Sequence, residues 1–335
     1  MTAYIIRRLL LIVLTVFLAL SFLFFLYFAL PGDPATLLAG GQDRAVNPIT
    51  LQQVNDRYGF DDPLLVQFGH YWQRTLQGDL GQSYKTGRGV NALLREAAPR
   101  SIRLSVWAIL IEIIVGISVG LVSAVRRYST IDKLTTVVTA VASAIPVFVL
   151  AFVLQYLFAV IPQLRGWPDV FQLKTSGRGD DTWLLFFIPT GDTWRYLVLP
   201  AVTLASVSTA LAARMTRGSM LEVLGADYMR TAKSKGLRER EVVVKHGLRN
   251  AMLPVVTLIG LDLGTAIGAA VLTETAFSWG GLGFYIADSV GKRDLPILLG
   301  LTTVVVAAYA VINLVVDISY AWFDPRVRLG GGNAK

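Results

Sequence analysis

Three carboxylic acids, Glu112, Asp262 and Asp317, interrupt otherwise apolar runs of this 335-residue chain. An ionisable group is expensive to bury in such a run, so these positions are the first place to look for chemistry: a proton or cation relay, or a hydrogen bond between helices. Asn313, Asp317 and Tyr320 recur at i, i+4 and i+7 and would form one polar stripe on a helix. Interhelical hydrogen bonding is the favoured reading of that stripe. Other chemistries find little to work with. There is no cysteine, and the two histidines, His70 and His246, lack carboxylate companions at ligand spacing, so no metal site is expected. No G-x-x-x-x-G-K-[ST] run occurs, which leaves the chain without a phosphate-cradling loop of that kind, and no nucleophile–base motif marks a catalytic residue.

The elements that must carry these acids are membrane spans. The sequence is 54% hydrophobic and only 16% charged, with a mean hydropathy of +0.55, whereas a soluble domain has about a quarter of its residues charged. Apolar runs predict helices at Leu9–Ala29, Ile102–Val125, Leu134–Ile161, Tyr196–Ala213, Ala251–Thr273 and Ile297–Phe323, each close to the ~20 residues that cross a bilayer. The expected fold class is therefore an all-α integral membrane protein with six transmembrane helices. Its segments are an N-terminal part with the first helix (1–30), an extracytoplasmic loop region with helices of its own (31–101), a membrane core of spans two to six (102–328) containing a long loop (214–250), and a tail (329–335). The first run follows Arg7 and Arg8 as a signal peptide would, but it is about twice a typical h-region and lacks a cleavage site, so it reads as a span. Pro146 and Pro200 fall inside spans three and four, where each removes a backbone donor and can bend the helix. The run WLLFFIP, Trp183–Pro189, is too short to cross and reads as interfacial or packed within a loop.

Orientation follows from Arg126, Arg127 and Lys133 in the short loop after span two, which put that loop and both termini in the cytoplasm. The formal charge of +8 then reports topology, and nucleic acid is not an expected partner. Within 31–101, Asn47-Pro48 resembles a cap with a first-turn proline, and a second helix begins at Pro63. Leu64, Phe68, Tyr71 and Trp72 make an apolar stripe on it, read as packing onto the span ends. The stretch 214–250 holds seven basic residues between Arg230 and Arg249, which at the membrane centre would cost on the order of 20 kcal/mol at ~3 each. It must lie outside the hydrocarbon. Ala226–Lys235 suits a short helix, Gly236 a left-handed stop and Arg238–Asn250 a second helix, with Glu241 and Lys245 able to pair at i, i+4. The spacing Ala232-x-x-x-Gly236 marks this element as a docking knob rather than a merely solvated loop. On span five, Gly260, Gly264 and Gly268 form a small-residue ridge suited to a close helix–helix seam. Asp262 lies off that ridge, free to face a pathway. Glu274 and Phe277, just past the span, offer a gate or, as favoured, a cap and a packing role.

Four blocks of the chain resemble the first, B-type permease subunit of bacterial dipeptide/oligopeptide ABC importers: YIIRRLLLIVLTV…LPGDPA, GDLGQSY, DYMRTAKSKGLRERE…LRNAMLPVVT, and ETAFSWGGLGFYIADSVGKRDLPIL…NLVVDISYAWFDPRVR. Together they cover most of the sequence. The resemblance implies a type I importer fold and a coupling helix for an ATPase within Ala226, Asp227, Tyr228, Met229, Arg230, Thr231, Ala232, Lys233, Lys235, Gly236 and Leu237. Of the general permease consensus there, only Ala232 and Gly236 match literally. It further implies a second homologous permease meeting the glycine ridge, two cytoplasmic ATPases that hold the ATP and Mg, an extracytoplasmic substrate-binding protein, and no cofactor on this chain. Its place would be the bacterial cytoplasmic membrane. The implied activity is alternating access driven by ATP, with a short peptide as cargo. Related permeases are associated with nickel, glutathione or other small solutes. An ion-coupled transporter using Glu112, Asp262 or Asp317 is the rival from another class. Two departures stand out: 162–195 is longer and more irregular than the family pattern, and Gly280 occupies a place where proline is common.

Overall fold

The computed structural model describes residues 2–29, 48, 51–52, 55, 59–83, 85–169, 172–292 and 294–323, excluding the side chains of 2–5, 27–29, 267 and 317–323. Asn47 and the tail lie outside these. The described chain is almost wholly helical: α1 (Thr2–Ala29), α2 (Leu64–Leu76), α3 (Val90–Val125), α4 (Thr130–Ala144), α5 (Val147–Leu164), a hairpin of β1 (Trp183–Leu184) and β2 (Ile188–Pro189), α6 (Thr193–Leu224), α7 (Asp227–Ser234), α8 (239–276), α9 (Leu282–Lys292) and α10 (Leu295–Phe323). Six of these, α1, α3, α5, α6, α8 and α10, are long and apolar enough to cross a membrane.

Most helices outrun the apolar stretch that revealed them. Span three is instead shortened. Its predicted run, Leu134–Ile161, is cut at Pro146: α4 ends at Ala144, Ile145 takes φ −78 and ψ 128, and Pro146 caps α5. The proline ring forces the preceding residue out of the helical region. Pro200 meets a different fate and stays inside α6, buried between Leu199 and Ala201. The expected Glu241–Lys245 pair does not form, because residues Val242–Leu248 open into a wide π turn that takes the two side chains out of i, i+4 register. Neither a helix at Leu282–Lys292 nor any strand was among the predicted elements.

The chain divides into two compact units, Met1–Ala98 with Tyr285–Leu314, and Pro99–Phe284 with Val315–Lys335. In the first, the stripe on α2 packs as expected. Phe68 and Tyr71 lie 5.4 and 5.3 Å from the Phe24 ring of α1, Trp72 lies 5.0 Å from Phe17, and the Tyr71 hydroxyl meets Thr303 at 2.9 Å. Leu64, at the start of the stripe, remains exposed. The GDLGQSY block is a tight turn: Asp79 accepts from the Gly81 amide, the Gly81 carbonyl accepts from the Val90 amide, and the Ser83 hydroxyl donates to Asp294.

In the second unit α6 is the axis. Leu104 and Ala108 of α3 pack with Leu197, Ala201, Leu204 and Ala205 of α6, Ala270 of α8 and Trp279. Close approach of α3 and α6 is achieved by Gly116 and Gly120, one turn apart. A β-carbon on Gly116 would sit 3.2 Å from the Thr209 carbonyl oxygen, and one on Gly120 would overlap Ala213 and Thr216. This is a small-residue seam within the chain, on a different helix from the ridge that the sequence offered.

Candidate functional site

The loop between α6 and α8 forms an elbow. Ala226 is extended (φ −73, ψ 149) and starts α7, which ends at Ser234 with Lys235 following it. Gly236 then takes φ +74, a region that glycine enters without a side-chain penalty, and Arg238 is extended before α8 begins. The short helix has two faces. Met229 and Ala232 are buried against Val242, with Val223 and Leu224 beside them, whereas Asp227, Tyr228, Arg230, Thr231, Lys233, Lys235 and Leu237 are exposed. Ala232 is thus small because it packs inward, while Gly236 has open space around it and is required by its backbone angle. Their four-residue spacing has two separate causes. Gly247, which sequence reasoning missed, completes the joint, since a β-carbon there would press on the Met220 and Met229 methyls at 3.2 and 3.4 Å. Asn250 donates to the Tyr228 hydroxyl at 3.1 Å, tying α7 to α8.

A second anchor holds the same end of α6. Asp132, at the start of α4, accepts from Arg217 Nε and Nη2 (2.6 and 3.0 Å), the Ser123 hydroxyl (2.6 Å) and the Tyr128 amide (2.9 Å). These bonds, those from Arg217 above all, hold the Asp132 carboxyl well below the usual carboxylate range. The basic residues of this loop were read only for topology. The acid between them organises it.

Glu112 of α3 and Asp262 of α8, separate in the sequence reading, meet. They line a cavity of about 30 Å³ with Ser208, Thr265 and small side chains of α3, α6 and α8. Glu112 Oε1 and Asp262 Oδ2 are both buried there without a hydrogen-bond partner among the described residues. Asp317 lies on α10, but its side chain is outside the described residues. On the ridge, Gly264 is buried and Gly268 faces open space. Glu274 and Phe277 belong to a packed node. Glu274 accepts from the Ser101 hydroxyl (2.6 Å) and the Phe284 amide (3.0 Å), so it caps α9, and Phe277 is buried with Ala151, Ala159 and Leu199. Trp279 donates to the Arg100 carbonyl at 3.1 Å. Gly280 has φ +73, an angle closed to a proline ring fixed near −65°. Among the described residues no group of three or more potential metal ligands gathers.

Six helices long and apolar enough to cross a membrane, and an elbow with a polar outer face, suit a transport subunit, and the comparisons with known proteins agree. Residues 116–329 match the model of the binding-protein-dependent transport system inner membrane component, and residues 1–105 match that family's N-terminal membrane component. The chain belongs to this family. It is similar over 98% of its length to a dipeptide transport system permease protein of Alkalihalophilus pseudofirmus, at 35% identity with all of the relative covered. A probable D,D-dipeptide transport system permease protein of Escherichia coli is 38% identical over 90% of this chain and 91% of the relative. A glutathione transport system permease protein of Escherichia coli is 36% identical over 98% of this chain and 99% of the relative. The chain is accordingly a multi-pass inner-membrane protein and the permease subunit of an ABC importer, not an enzyme.

Proposed function

We propose that this permease and a second, homologous one enclose the pathway by which short peptides, handed over by an extracytoplasmic binding protein, enter the cell. Two cytoplasmic ATPases supply the energy, with ATP and Mg bound on them. Both termini and the α7 elbow lie on the cytoplasmic side, residues 31–101 on the other. The membrane core is 102–328, the coupling loop 214–250 and the cytoplasmic tail 329–335. Relatives named for dipeptides and for glutathione, a tripeptide, support a small peptide as cargo.

The observation that carries this reading is the two-faced elbow. A short helix whose apolar side is clamped to Val242 of α8, and whose other side is bare, basic and polar, transmits a push on its outer face into a membrane span. ATP-driven closure of the ATPases would draw the elbows of the two permeases together and turn the cavity outward. Gly260, Gly264 and Gly268 are assigned to the seam with the second permease, and Asp262 and Asp317 to the neighbourhood of the pathway. Glu274 and Phe277 serve as cap and packing.

The test is co-purification of the assembled importer with Arg230→Glu, Lys233→Glu and Leu237→Asp on the exposed face. ATPase retention should fall at least about tenfold for the combined variant, as expected when ~1.4 kcal/mol or more is lost, with the permease pair intact. Unchanged retention and unchanged peptide uptake would refute the assignment.

A further inference from the structure

The segment Trp183–Pro189 has no part in the transport reading, yet it is the most unusual piece of the chain. It forms an antiparallel hairpin with Trp183 opposite Pro189 and Leu184 opposite Ile188. At its tip Leu185 and Phe186 have φ of 49° and 69°. Hairpin tips with such angles ordinarily carry glycine, asparagine or aspartate. Large apolar side chains kept in a strained backbone point to a need for those side chains.

Packing among the described residues leaves these side chains largely open. Leu184, Leu185, Phe186, Phe187 and Ile188 are all exposed, Leu185 at 80%. A run of five exposed apolar residues has no place on a water-facing surface unless something covers it.

The underside of the hairpin is fixed to the membrane-crossing helix α3. The Arg103 guanidinium lies between the Trp183 and Phe186 rings, 4.6 Å from each, and its Nε donates to the Phe186 carbonyl at 2.9 Å. Trp107 Nε1 donates to the Phe187 carbonyl at 2.8 Å. Asp181 closes the base, accepting from Trp183 Nε1 at 2.7 Å and pairing with Arg100 and Arg103. Two tip carbonyls are therefore satisfied without water, as a seat in lipid requires.

The covering partner is identified by continuity. Arg103, Trp107 and Leu110 recur at i, i+4 and i+7, one face of α3. The hairpin sits on the first two, and Leu110, exposed at 40%, continues the face into the run that crosses hydrocarbon, where Ile114 in the π turn Glu112–Gly116 is exposed at 63%. Tryptophan and arginine below an apolar tip are the residue types of the bilayer boundary.

We propose that the hairpin is a wedge seated in the lipid leaflet at the Arg103 end of α3. Leu184–Ile188 enter the upper acyl region, and Arg103 and Trp183 stand at headgroup level. The long 162–195 segment is thereby tied to the bilayer.

Because the chain has no cysteine, Leu185→Cys and Phe187→Cys each create a single labelling site. Both are labelled with an environment-sensitive bimane, in the importer complex made cysteine-free in its other subunits and reconstituted in phosphatidylethanolamine/phosphatidylglycerol vesicles. Val13→Cys on α1 and Gln77→Cys after α2 serve as span and water references. Blue-shifted emission at both tip positions, quenched several-fold more by 5-doxyl phosphatidylcholine than by iodide, is the expected result. Iodide quenching like that at Gln77→Cys overturns the proposal in favour of an aqueous tip. Protection from both quenchers overturns it in favour of a protein partner, such as the second permease, and lipid quenching at only one of the two positions overturns insertion of the tip as stated.

Discussion

The elbow at 226–237 and the hairpin at 183–189 are both short projections from long apolar helices, built on opposite plans. The elbow hides Met229 and Ala232 and exposes Arg230, Lys233 and Lys235. The hairpin hides its polar partners, with Arg103 and Trp107 beneath it, and exposes leucine and phenylalanine. Where the backbone must turn left-handed, the elbow uses Gly236 and the hairpin uses Leu185 and Phe186. The contrast identifies each projection's surroundings. A turn that meets water and protein takes the cheap residue, and one that gives up that economy needs its side chains for contact with something apolar.

The largest effect is expected from inverting the elbow's hidden face. Met229→Asp places a charge in a site with no exposure, a burial that costs several kcal/mol without a partner. Amide hydrogen exchange across 227–237 should lose its protection, and ATPase retention should fall with it. The matched change Leu185→Asp, on the hairpin's open face, should leave its detergent-solubilised fold intact. Protection unchanged in the first variant would end the two-faced description.

Exchanging the turn residues sharpens the same comparison at smaller scale. Gly236→Ala meets no clash but must hold φ +74, at a cost of about 1–2 kcal/mol, so coupled ATP hydrolysis should decline roughly 5- to 30-fold if the elbow is needed closed. Leu185→Gly should do the reverse locally, slowing proteolysis at the hairpin tip in detergent by relieving strain of the same order.

A weaker, pH-dependent effect separates the elbow's base from the hairpin's. Asp132 has a folded pKa depressed by Arg217. Its contribution is therefore complete above about pH 4, the unfolded carboxylate range, and is lost as pH falls below it. Thermal unfolding of Asp132→Asn should begin several degrees lower at neutral pH and show a flatter acid limb than the parent. An acid limb of unchanged steepness would remove Asp132 from the set of anchors.

How much of this was legible in the sequence depends on whether the signal was local. The places of the six spans were readable because hydrocarbon thickness acts on each run by itself, and the elbow because seven cations cannot enter it and Gly236 marks a stop. Pro146 and Pro200 carry identical local signals, yet one breaks a helix and the other is absorbed by the packing around Leu199 and Ala201. The π turn at Val242–Leu248 cancels an ion pair that ideal helical spacing allowed. The Gly116–Gly120 seam could have been found from its spacing, but only contact with Ala212 and Ala213 distinguishes it from the ridge at Gly260. The meeting of Glu112 with Asp262, across 150 positions of chain, depends on α3 and α8 both lining one cavity.

That meeting sets the smallest expected effect. The acids lie inside the spans, away from both projections, and a contact that only joins helices should matter little to a machine driven from its elbow. Polar contacts between membrane helices are worth about 0.6 kcal/mol, a factor of about three. Glu112→Gln and Asp262→Asn each keep a polar group of the same size at the cavity they line, so ATP-dependent uptake should stay within about threefold of the parent. It should also be unmoved by collapsing the proton gradient. If either amide abolishes uptake, or if uptake follows the gradient, the two acids take part in transport, and the elbow is not the only route by which energy enters the spans.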